Sequence, residues 1–598
     1  MTHQYTVSGT VSTPAGPLDG ATVTAVDSEL GRDDPLATAE TAADGGYELS
    51  FDGSALDGPF EGSPDVYLRV SHSGLSHETD AVDFDDGTAT LDVALGEDAA
   101  GAGTSGDAGS GTVGDGGRPS SGGSMASGGK PHHGMVEHRG MRNVPRDPSH
   151  PGQGRFGRLF PNLSPADHDV RFLEELGLPG GVLEETPDDP VGDADTVPAG
   201  FVFLGQFIDH DITLDPVSSL ERQADPDALR NFRTPRLDLD SVYGAGPEAQ
   251  PFLYRADDGE KLLLGENDAG ERADLPRNAE GTALTGDPRN DENLILSQFQ
   301  TAMLRFHNQV VDHLRAESDA HEVFEEAQQL VRWHYQWIVL HEYLPTICGE
   351  DAVEHALQER ELYEVETGEN AYMPVEFAGA VYRFGHSQAR FEYRINDEFG
   401  AGRLFGPPGA DDVLNQGFEA VPPEKVVDWR HLFDFRGDVD PQMAREIDPK
   451  VAPDLLDLPF VSDDNPAFEQ SLASRNLVRG HTLGLPSGPA VARRLGEEPL
   501  TNAETGFDEA VDRYDPDGSA EMPLWYYVLA EASAETGGEQ LGTVGGRIVA
   551  EVIVGLLESD PRSFLTIQPA WTPTLPTPVS GDAEDYSTAD LLSVAMGY

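Results

Sequence analysis

The first region of the chain, residues 1–97, alternates hydrophobic and polar positions in short runs between turn residues. A period of two is typical of short antiparallel strands that bury one face. The runs are YTVSGTV, ATVTAV, YELSF, VYLRV and TATLDVAL, and Gly and Asp are common between them. The pattern predicts a small all-β sandwich with a structural or adhesive role, because nothing in it points to catalysis.

The hydrophobic period changes after a segment of low complexity. Residues 98–135 consist mostly of Gly, Ser, Ala and Asp, which is typical of a flexible linker. From residue 136 to residue 598, apolar residues recur at the spacings of amphipathic helices. The strongest such segments are LILSQFQTAMLRFHNQVVDHLRAE, EEAQQLVRWHYQWIVLHEYLP, which should end before Pro345, and VGGRIVAEVIVGLLESDP. We therefore predict a mainly α-helical domain after the sandwich.

The charge of the chain is strongly acidic. Its 598 residues include 107 acidic and 39 basic side chains, which gives a net charge of −68. So many carboxylates repel one another at low ionic strength and are screened in molar salt, where the Debye length is about 3 Å. Such a surface is typical of proteins adapted to high salt, and it disfavours nucleic acid and anionic membranes as partners.

Cysteine content and the N-terminus limit the class of protein further. The single cysteine, Cys348, excludes an intramolecular disulfide and cysteine-based zinc sites. The N-terminal MTHQYTVSGT lacks the features of a signal peptide, and no apolar run is long enough to predict a membrane span. We expect a cytoplasmic location, with export by another route left open. The sequence does not indicate an oligomeric state.

One apolar run, Phe201–Pro216, contains polar side chains that need an explanation (FVFLGQFIDHDITLDP). Burying such groups costs several kcal/mol unless each has a partner, so their presence suggests a function. In a helix, Gln206, Asp209 and His210 share one face, whereas Asp211 is rotated away from it. From this run alone, the candidates are an Asp–His hydrogen bond in the core and a metal-binding pair of a hydrolase.

The segment GQFIDHD resembles the distal helix of the animal-type haem peroxidases, the peroxidase-cyclooxygenase superfamily. Further motifs follow in that family's order: TPRLDLDSVYG, GDPRNDEN, VYRFGHSQARF and RNLVRGHTLGLP. The resemblance runs from about His138 to the C-terminus, and its last part looks more like bacterial and archaeal members. It implies a mainly α fold that binds haem b. The region 1–97 is similar to carboxypeptidase-regulatory-like, transthyretin-type sandwiches.

On one side of the haem, the resemblance makes His386 the axial iron ligand. An axial histidine is usually oriented through its other ring nitrogen, and the family uses an asparagine for this purpose, here Asn476. Arg383 and Arg479 match basic positions of the family, the second of them near the haem propionates. Taken without the resemblance, a histidine in this context would more often have a structural role.

On the other side, the resemblance makes His210 the acid–base group and Gln206 the residue that positions water or a halide. Arg289 would stabilise the negative charge that develops when the peroxide bond breaks. Asp209 and Glu292 are the candidates for ester bonds to haem methyl groups. The alternative for Arg289 and Glu292 is a surface ion pair.

The sequence departs from its best-known relative at one position beside this site. Asn293 stands where that mammalian member has a methionine that forms a sulfonium link to a haem vinyl group. We therefore predict at most two ester links and no sulfonium link.

A cation site completes the family's pattern. Thr234, Asp238 and Asp240 lie at alternating positions, with the Arg236 carbonyl between them, and oxygen ligands suit calcium. The order resembles the family's calcium loop, whose remaining ligand is the aspartate after the distal histidine, here Asp211. The rotation of Asp211 away from the face of Gln206 agrees with this role.

The resemblance implies a peroxidase that reduces hydrogen peroxide and oxidises halide, thiocyanate or a small organic donor. One alternative is a fatty-acid dioxygenase of the same superfamily, whose radical-forming tyrosine corresponds to Arg383 here. Tyr382 is one position off and is expected to point elsewhere. The other alternative is a non-catalytic adhesive or matrix protein on a peroxidase scaffold, which failure to bind haem would support.

Overall fold

The structure is a computed structural model of the chain. It describes residues 4–13, 16–18, 20–27, 34–52, 66–72, 75–78, 88–91, 93–94, 155–186, 190–214, 231, 233, 235–267, 269–317, 322–365, 367, 371–406, 410, 412–414, 417–459, 461, 465–515 and 520–598. The predicted linker at 98–135, the predicted boundaries at residues 97 and 136, and Thr234 lie outside the described residues. The chain divides into two compact units, residues 1–129 and 130–598.

The first unit consists of strands. They are β1 Gln4–Thr13, β2 Gly16–Pro17, β3 Thr22–Asp27, β4 Asp34–Glu40, β5 Gly46–Asp52, β6 Val66–His72, β7 Leu75–Glu78, β8 Thr88–Thr90 and β9 Val93–Ala94. One sheet has the order β2-β1-β5, with β8 and β9 also paired to β1, and the other has the order β4-β3-β6-β7. Alternate residues such as Val7, Val11 and Val23 form its core.

One detail of the predicted sandwich is wrong. The pairs of β1 with β8 and with β9 are parallel, whereas we expected only antiparallel pairs. The reason is that β8 and β9 follow β7, a strand of the other sheet, and so join β1 by a crossover and not by a hairpin.

The second unit is mainly helical, as predicted. Its helices are α1 Val170–Leu176, α2 Gly200–Ile212, α3 Asp240–Tyr243, α4 Leu294–Glu317, α5 Val323–Ile338, α6 Leu344–Cys348, α7 Glu350–Glu359, α8 Val375–Gly379, α9 Gly385–Gln388, α10 Ala467–Gln470, α11 Leu472–Thr482, α12 Gly488–Leu495, α13 Asn502–Thr505, α14 Phe507–Tyr514, α15 Leu524–Thr536, α16 Thr543–Ser559, α17 Phe564–Ile567 and α18 Thr588–Met596.

Short strands connect parts of this unit in pairs. They are β10 Phe156–Gly157, β11 Asp193–Pro198, β12 Tyr254–Arg255, β13 Asp258–Leu262, β14 Met373–Pro374, β15 Glu392–Asn396, β16 Gly400–Arg403 and β17 Met443–Arg445. The pairs are β10 with β14, β11 with β17, β12 with β13, and β15 with β16. Their role is to pin loops onto the helical core.

The predicted long helices are present, with one difference. Helices α4 and α16 occupy the first and third predicted segments. The second segment does not end before Pro345, because α5 continues through a π-helical turn, Val339–Tyr343, into α6. Pro345 lies just after the π-helical turn, where the hydrogen-bond register of the helix changes, and a proline is accommodated at such a point.

Helix α16 shows how this core accepts a charged group. Glu551, which is fully buried, accepts hydrogen bonds from the backbone N–H groups of Glu361 and Leu362 and from Arg547. A buried carboxylate needs such partners. None of the helices in the described part of the chain combines the length and the apolar character needed to cross a membrane.

Helix α2 lies inside the second unit and is buried on nearly every side. It contacts α3, α4 and α9. Phe207 packs edge-on against Phe299 and Tyr335, with ring centroids 5.1 and 5.9 Å apart. Gly205 permits a close approach, because a Cβ atom there would lie 2.5 Å from the Tyr343 hydroxyl. The polar side chains of α2 are thereby held inside the core.

Candidate active site

A cavity of about 870 Å³, including its open mouth, lies beside α2. Its walls are largely apolar, and the polar side chains on them come from two parts of the chain. Gln206 and Asp209 of α2 lie there with Glu292 and Asn293, and the segment that follows α8 contributes Arg383, His386 and Gln388. An apolar cavity with a few convergent polar groups is the usual form of a cofactor or substrate site.

His386 enters the cavity wall from α9, directly after a 3₁₀ turn. Its Nδ1 lies 2.8 Å from Asn476 Nδ2, and Arg383 donates a hydrogen bond to Asn476 Oδ1 at 3.2 Å. Burial, followed by the positive charges of Arg383 and Arg475, lowers the pKa of His386 to about 3. The ring is therefore neutral near pH 7, as a metal ligand must be.

The amide of Asn476 meets the His386 ring with its NH₂ group, which leaves the ring proton on Nε2. Iron binding through Nε2 requires that proton on Nδ1, facing the amide oxygen, so the Asn476 amide must turn by half a rotation. With that rotation, His386 and Asn476 would fit an iron ligand and its hydrogen-bond partner. The NH₂ group would then face Arg383, so the hydrogen bond that Arg383 donates to Asn476 Oδ1 would be lost and the guanidinium would have to move. Arg479 lies on α11 three residues after Asn476 and is half-buried.

His210 is fully buried in α2. Its Nδ1 lies 2.7 Å from Asn290 Oδ1, and its Nε2 lies 3.8 Å from Glu292 Oε1. Burial, followed by the charge of Arg289, lowers the pKa of His210 to about 3. Among the described residues, Glu292 lines the cavity and His210 does not, so His210 lies one side chain behind the wall.

Gln206 is oriented by two hydrogen bonds on the cavity wall. Its Nε2 donates to Glu292 Oε1, and its Oε1 accepts from Asn293 Nδ2 at 3.2 Å. Asn293 therefore has a defined role here as the residue that orients Gln206.

Asp209 faces the cavity one turn after Gln206. Its Oδ1 accepts a hydrogen bond from Thr213 at 3.0 Å, and burial raises the pKa of its carboxyl group. Asp209 and Glu292 thus place two carboxyl groups on the same cavity wall. This arrangement fits the ester bonds that the resemblance implies, and the bonds themselves stay a prediction.

Arg289 lies next to His210 but binds its backbone. Its guanidinium donates to the carbonyl oxygens of His210 and Thr213 at 3.1 and 2.5 Å and to the Asp287 carboxylate. Although burial opposes ionisation, Arg233 and Arg289 hold the pKa of Asp287 far below its usual value. These contacts fix the end of α2, and a direct role of Arg289 toward peroxide stays a prediction. Because Arg289 and Glu292 are both buried, the alternative of a surface ion pair is wrong.

Three aspartates meet on the other side of α2. Carboxylate oxygens of Asp211, Asp238 and Asp240 lie within 4.8 Å of one another. Asp211 is fully buried, and the Leu239 N–H donates to it at 3.2 Å. Burial and the charges of Asp240 and Asp238 raise the pKa of Asp211 well above its usual value, and burial first of all raises that of Asp240 to about 7. Arg233 forms an ion pair with Asp240 at 3.2 Å, yet the pKa of Asp240 is still raised, so repulsion between the carboxylates is only partly offset. A set of carboxylate oxygens in this arrangement fits a divalent ion.

The other predicted members of the cation loop are less defined. Arg236 is buried on the same segment, and its side chain lies 3.9 Å from Asp560. Thr234 lies outside the described residues, so its predicted role stays a prediction.

Two residues of the site were not predicted from the sequence: Asn290, which contacts His210, and Arg475, which lies near His386. Asn290 stands inside the motif GDPRNDEN, and Arg475 directly precedes Asn476. Position within a motif was the available signal in both cases, because neither residue type indicates a role by itself.

Known proteins share this fold and sequence. Residues 218–515 match the family model described as animal haem peroxidase. Chorion peroxidase of Drosophila melanogaster is 25% identical over 346 residues, which are 54% of this chain and 41% of that protein. Thyroid peroxidase of Canis lupus familiaris is 28% identical over 303 residues, which are 44% of this chain and 29% of that protein. The matches thus span less than half the length of these curated relatives.

The solved structure of peroxidase A from Dictyostelium discoideum superposes with a TM-score of 0.50 at 18% identity, and covers 75% of this chain and 97% of that chain. This likeness shows the fold. The family match supports an oxidoreductase, and membership of this family implies haem binding. The chain belongs to the superfamily of animal-type haem peroxidases.

Proposed function

We propose that the protein is a haem-dependent peroxidase that reduces hydrogen peroxide and oxidises halide, thiocyanate or a small organic donor. The proposal rests on one observation. The same cavity brings His386, with Asn476 behind it, together with Gln206 and Glu292, and a neutral His210 lies 3.8 Å behind Glu292. His386 would hold the haem iron, and Asp209 and Glu292 would hold the porphyrin edge.

When bound, haem supplies the two electrons that reduce the peroxide and recovers them from the donor. The protein supplies proton transfer and orientation. His210 would accept a proton at Nε2 from one peroxide oxygen and return it to the other, which leaves as water. Its low pKa keeps Nε2 able to accept that proton across the neutral range. Because Glu292 lies between Nε2 and the cavity, this transfer requires the Glu292 side chain to move aside. Gln206, fixed by Glu292 and Asn293, orients the water or halide that approaches.

We further propose that Asp211, Asp238 and Asp240 bind calcium. The clustering of the three carboxylates and the burial of Asp211 and Asp238 support the proposal. A cation bound there would link α2, through Asp211, to α3, through Asp240. It would thereby stabilise the position of α2, the helix that carries His210.

The test of the peroxidase proposal is an absorbance spectrum in high salt with added haem, recorded before and after one equivalent of peroxide. We expect a Soret band that shifts on peroxide addition and that is lost or strongly altered in His386→Ala. His313→Ala, on α4, is the matched control and should behave as the wild type. A folded protein that takes up no haem would overturn the proposal in favour of a non-catalytic scaffold.

One observation favours a second candidate, a fatty-acid dioxygenase. Tyr382 lines the cavity, contrary to the expectation that it points elsewhere, and its hydroxyl donates to the Tyr343 hydroxyl at 3.1 Å. Oxygen uptake with a long-chain fatty acid distinguishes the two functions. A dioxygenase consumes oxygen and loses this activity in Tyr382→Phe, whereas a peroxidase consumes none.

A further inference from the structure

A chain of buried side-chain amides runs from His210 into the interior. Nδ1 of His210 lies 2.7 Å from Oδ1 of Asn290, whose Nδ2 donates to Oε1 of Gln300 at 2.9 Å. Nε2 of Gln300 donates to the Ser241 carbonyl oxygen at 3.1 Å and to Thr285 Oγ1 at 3.2 Å. His210, Asn290 and Gln300 are each 0% exposed, so water does not compete for these bonds.

This chain has a direction, because it ends on a backbone carbonyl. The Ser241 oxygen can only accept a hydrogen bond, so Gln300 must present its NH₂ group to it and its oxygen to Asn290. Asn290 in turn must present its NH₂ group to Gln300 and its oxygen to His210. An amide oxygen accepts only, so the ring nitrogen that faces it, Nδ1, carries the proton. Nε2 is then the unprotonated nitrogen.

We propose that Asn290 and Gln300 are positioning residues that hold His210 in the tautomer whose Nε2 carries no proton and can therefore accept one. The inference rests on the proposed function, since it concerns the nitrogen that would take the proton of hydrogen peroxide. The geometry agrees with this role, because Nε2 is the nitrogen near the cavity wall, 3.8 Å from Glu292 Oε1. A neutral histidine in the other tautomer would present an N–H there and could not act as a base.

The tautomer is measurable without haem. In protein labelled with ¹⁵N-histidine, the chemical shifts of the His210 nitrogens, assigned by their loss in His210→Gln, show which one carries the proton. We expect a protonated Nδ1 in the wild type. In Asn290→Leu, which removes the acceptor at nearly constant shape, we expect the Nε2-protonated tautomer to appear. A wild-type ring protonated on Nε2, or a tautomer unchanged in Asn290→Leu, would overturn the inference.

The second measurement uses haem-loaded protein and the rate constant for the Soret change after peroxide mixing. Loss of a partner that orients a functional group typically costs about 10- to 100-fold, and we expect a decrease of this size in Asn290→Leu. Asn290→Asp keeps an acceptor for Nδ1–H but loses the donor to Gln300, so it should recover part of the lost rate, which a purely structural role would not explain. Equal rates in Asn290→Leu and the wild type contradict the proposal.

Two controls distinguish a failure of this proposal from a variant that does not fold and from a failure of the proposed function. If Asn290→Leu does not fold, Gln300→Met replaces it, since this variant leaves Asn290 in place but free to turn. We expect it to give mixed tautomers and an intermediate rate, and wild-type values would count against the proposal. If the wild type takes up no haem or does not react with peroxide, the proposed function fails, and the tautomer measured in haem-free protein still decides the role of the amides.

Discussion

At the scale of single residues, a buried histidine can be held neutral by the hydrogen bonds that its ring accepts. His334 of α5 is an example outside the cavity. Its Nε2 accepts from the backbone N–H groups of Thr574 and Leu575 at 3.1 and 3.2 Å, and its Nδ1 contacts the Leu330 carbonyl at 2.7 Å. A protonated ring would lose both acceptor bonds. The fold in this region therefore depends on the ring staying neutral.

This dependence predicts acid sensitivity. Burial lowers the pKa of His334 from 6.5 to about 4, so the unfolded state binds the proton more tightly than the folded state. The stability that neutral His334 contributes is present above about pH 6.5 and is lost as the pH falls towards 4, by about 3 kcal/mol in all. Urea unfolding in high salt at about pH 7.5 and about pH 5 measures it. His334→Gln should show a smaller pH dependence than the wild type, and equal dependences would contradict the prediction.

How much of the site can be predicted from the sequence depends on the types of residue that form it. His210, His386 and Asp211 stand out because ionisable groups in apolar runs need a reason. Asn290 and Gln300 do not stand out, because an amide shows its role only through the atoms it meets, here His210 Nδ1 and the Ser241 carbonyl. The half-turn that the Asn476 amide requires could not be predicted either, since both ends of an amide have nearly the same shape.

At the scale of elements, hydrophobic period was a good guide where a helix has two distinct faces. Helix α4 has the predicted bounds because its apolar stripe is continuous. The predicted end before Pro345 was wrong, because a π-helical turn lets a new helix begin there, and periodicity does not reveal such a turn. The parallel strands β8 and β9 depend on long-range pairing, which the alternation of residues does not specify.

The contact between α2 and the π-helical turn gives a prediction at this scale. Gly205→Ala places a methyl group 2.5 Å from the Tyr343 hydroxyl, so one of the two elements must move. Overpacking of this kind costs about 1–3 kcal/mol. Chemical unfolding measures the loss, and haem uptake should weaken with it. Gly437→Ala, where the nearest atom would lie 3.9 Å away, is the matched control. Equal losses in both variants would refute the steric explanation.

The proposed calcium site predicts a stabilising ligand. Calcium at about 100 times its Kd should stabilise the folded protein by about 2.7 kcal/mol, and EDTA should lower Tm. Because the pKa of Asp240 is raised to about 7, binding releases protons and tightens as the pH rises through that value. Asp238→Asn should abolish the calcium effect on Tm, whereas Asp167→Asn, at an exposed aspartate, should not. A calcium-independent Tm in the wild type would refute the site.

At the scale of the whole molecule, the net charge of −68 sets the conditions for folding. Repulsion between carboxylates extends over about 10 Å at 0.1 M salt and over about 3 Å at 1 M. We therefore predict that the free energy of unfolding rises steeply with KCl. Thermal unfolding in KCl and in sucrose at matched water activity separates charge screening from solvent exclusion. A Tm that rises equally in both would contradict the electrostatic explanation.

The amide chain ends at the backbone carbonyl of Ser241, and this determines which substitutions the sequence can tolerate in evolution. A backbone carbonyl is supplied by the fold, so any residue type at position 241 that keeps α3 in place also keeps the direction of the chain. Asn290 and Gln300 have no such freedom, because each must donate at one end and accept at the other. Substitutions that preserve the orientation of His210 should therefore arise at these two positions in pairs, while position 241 varies independently of both.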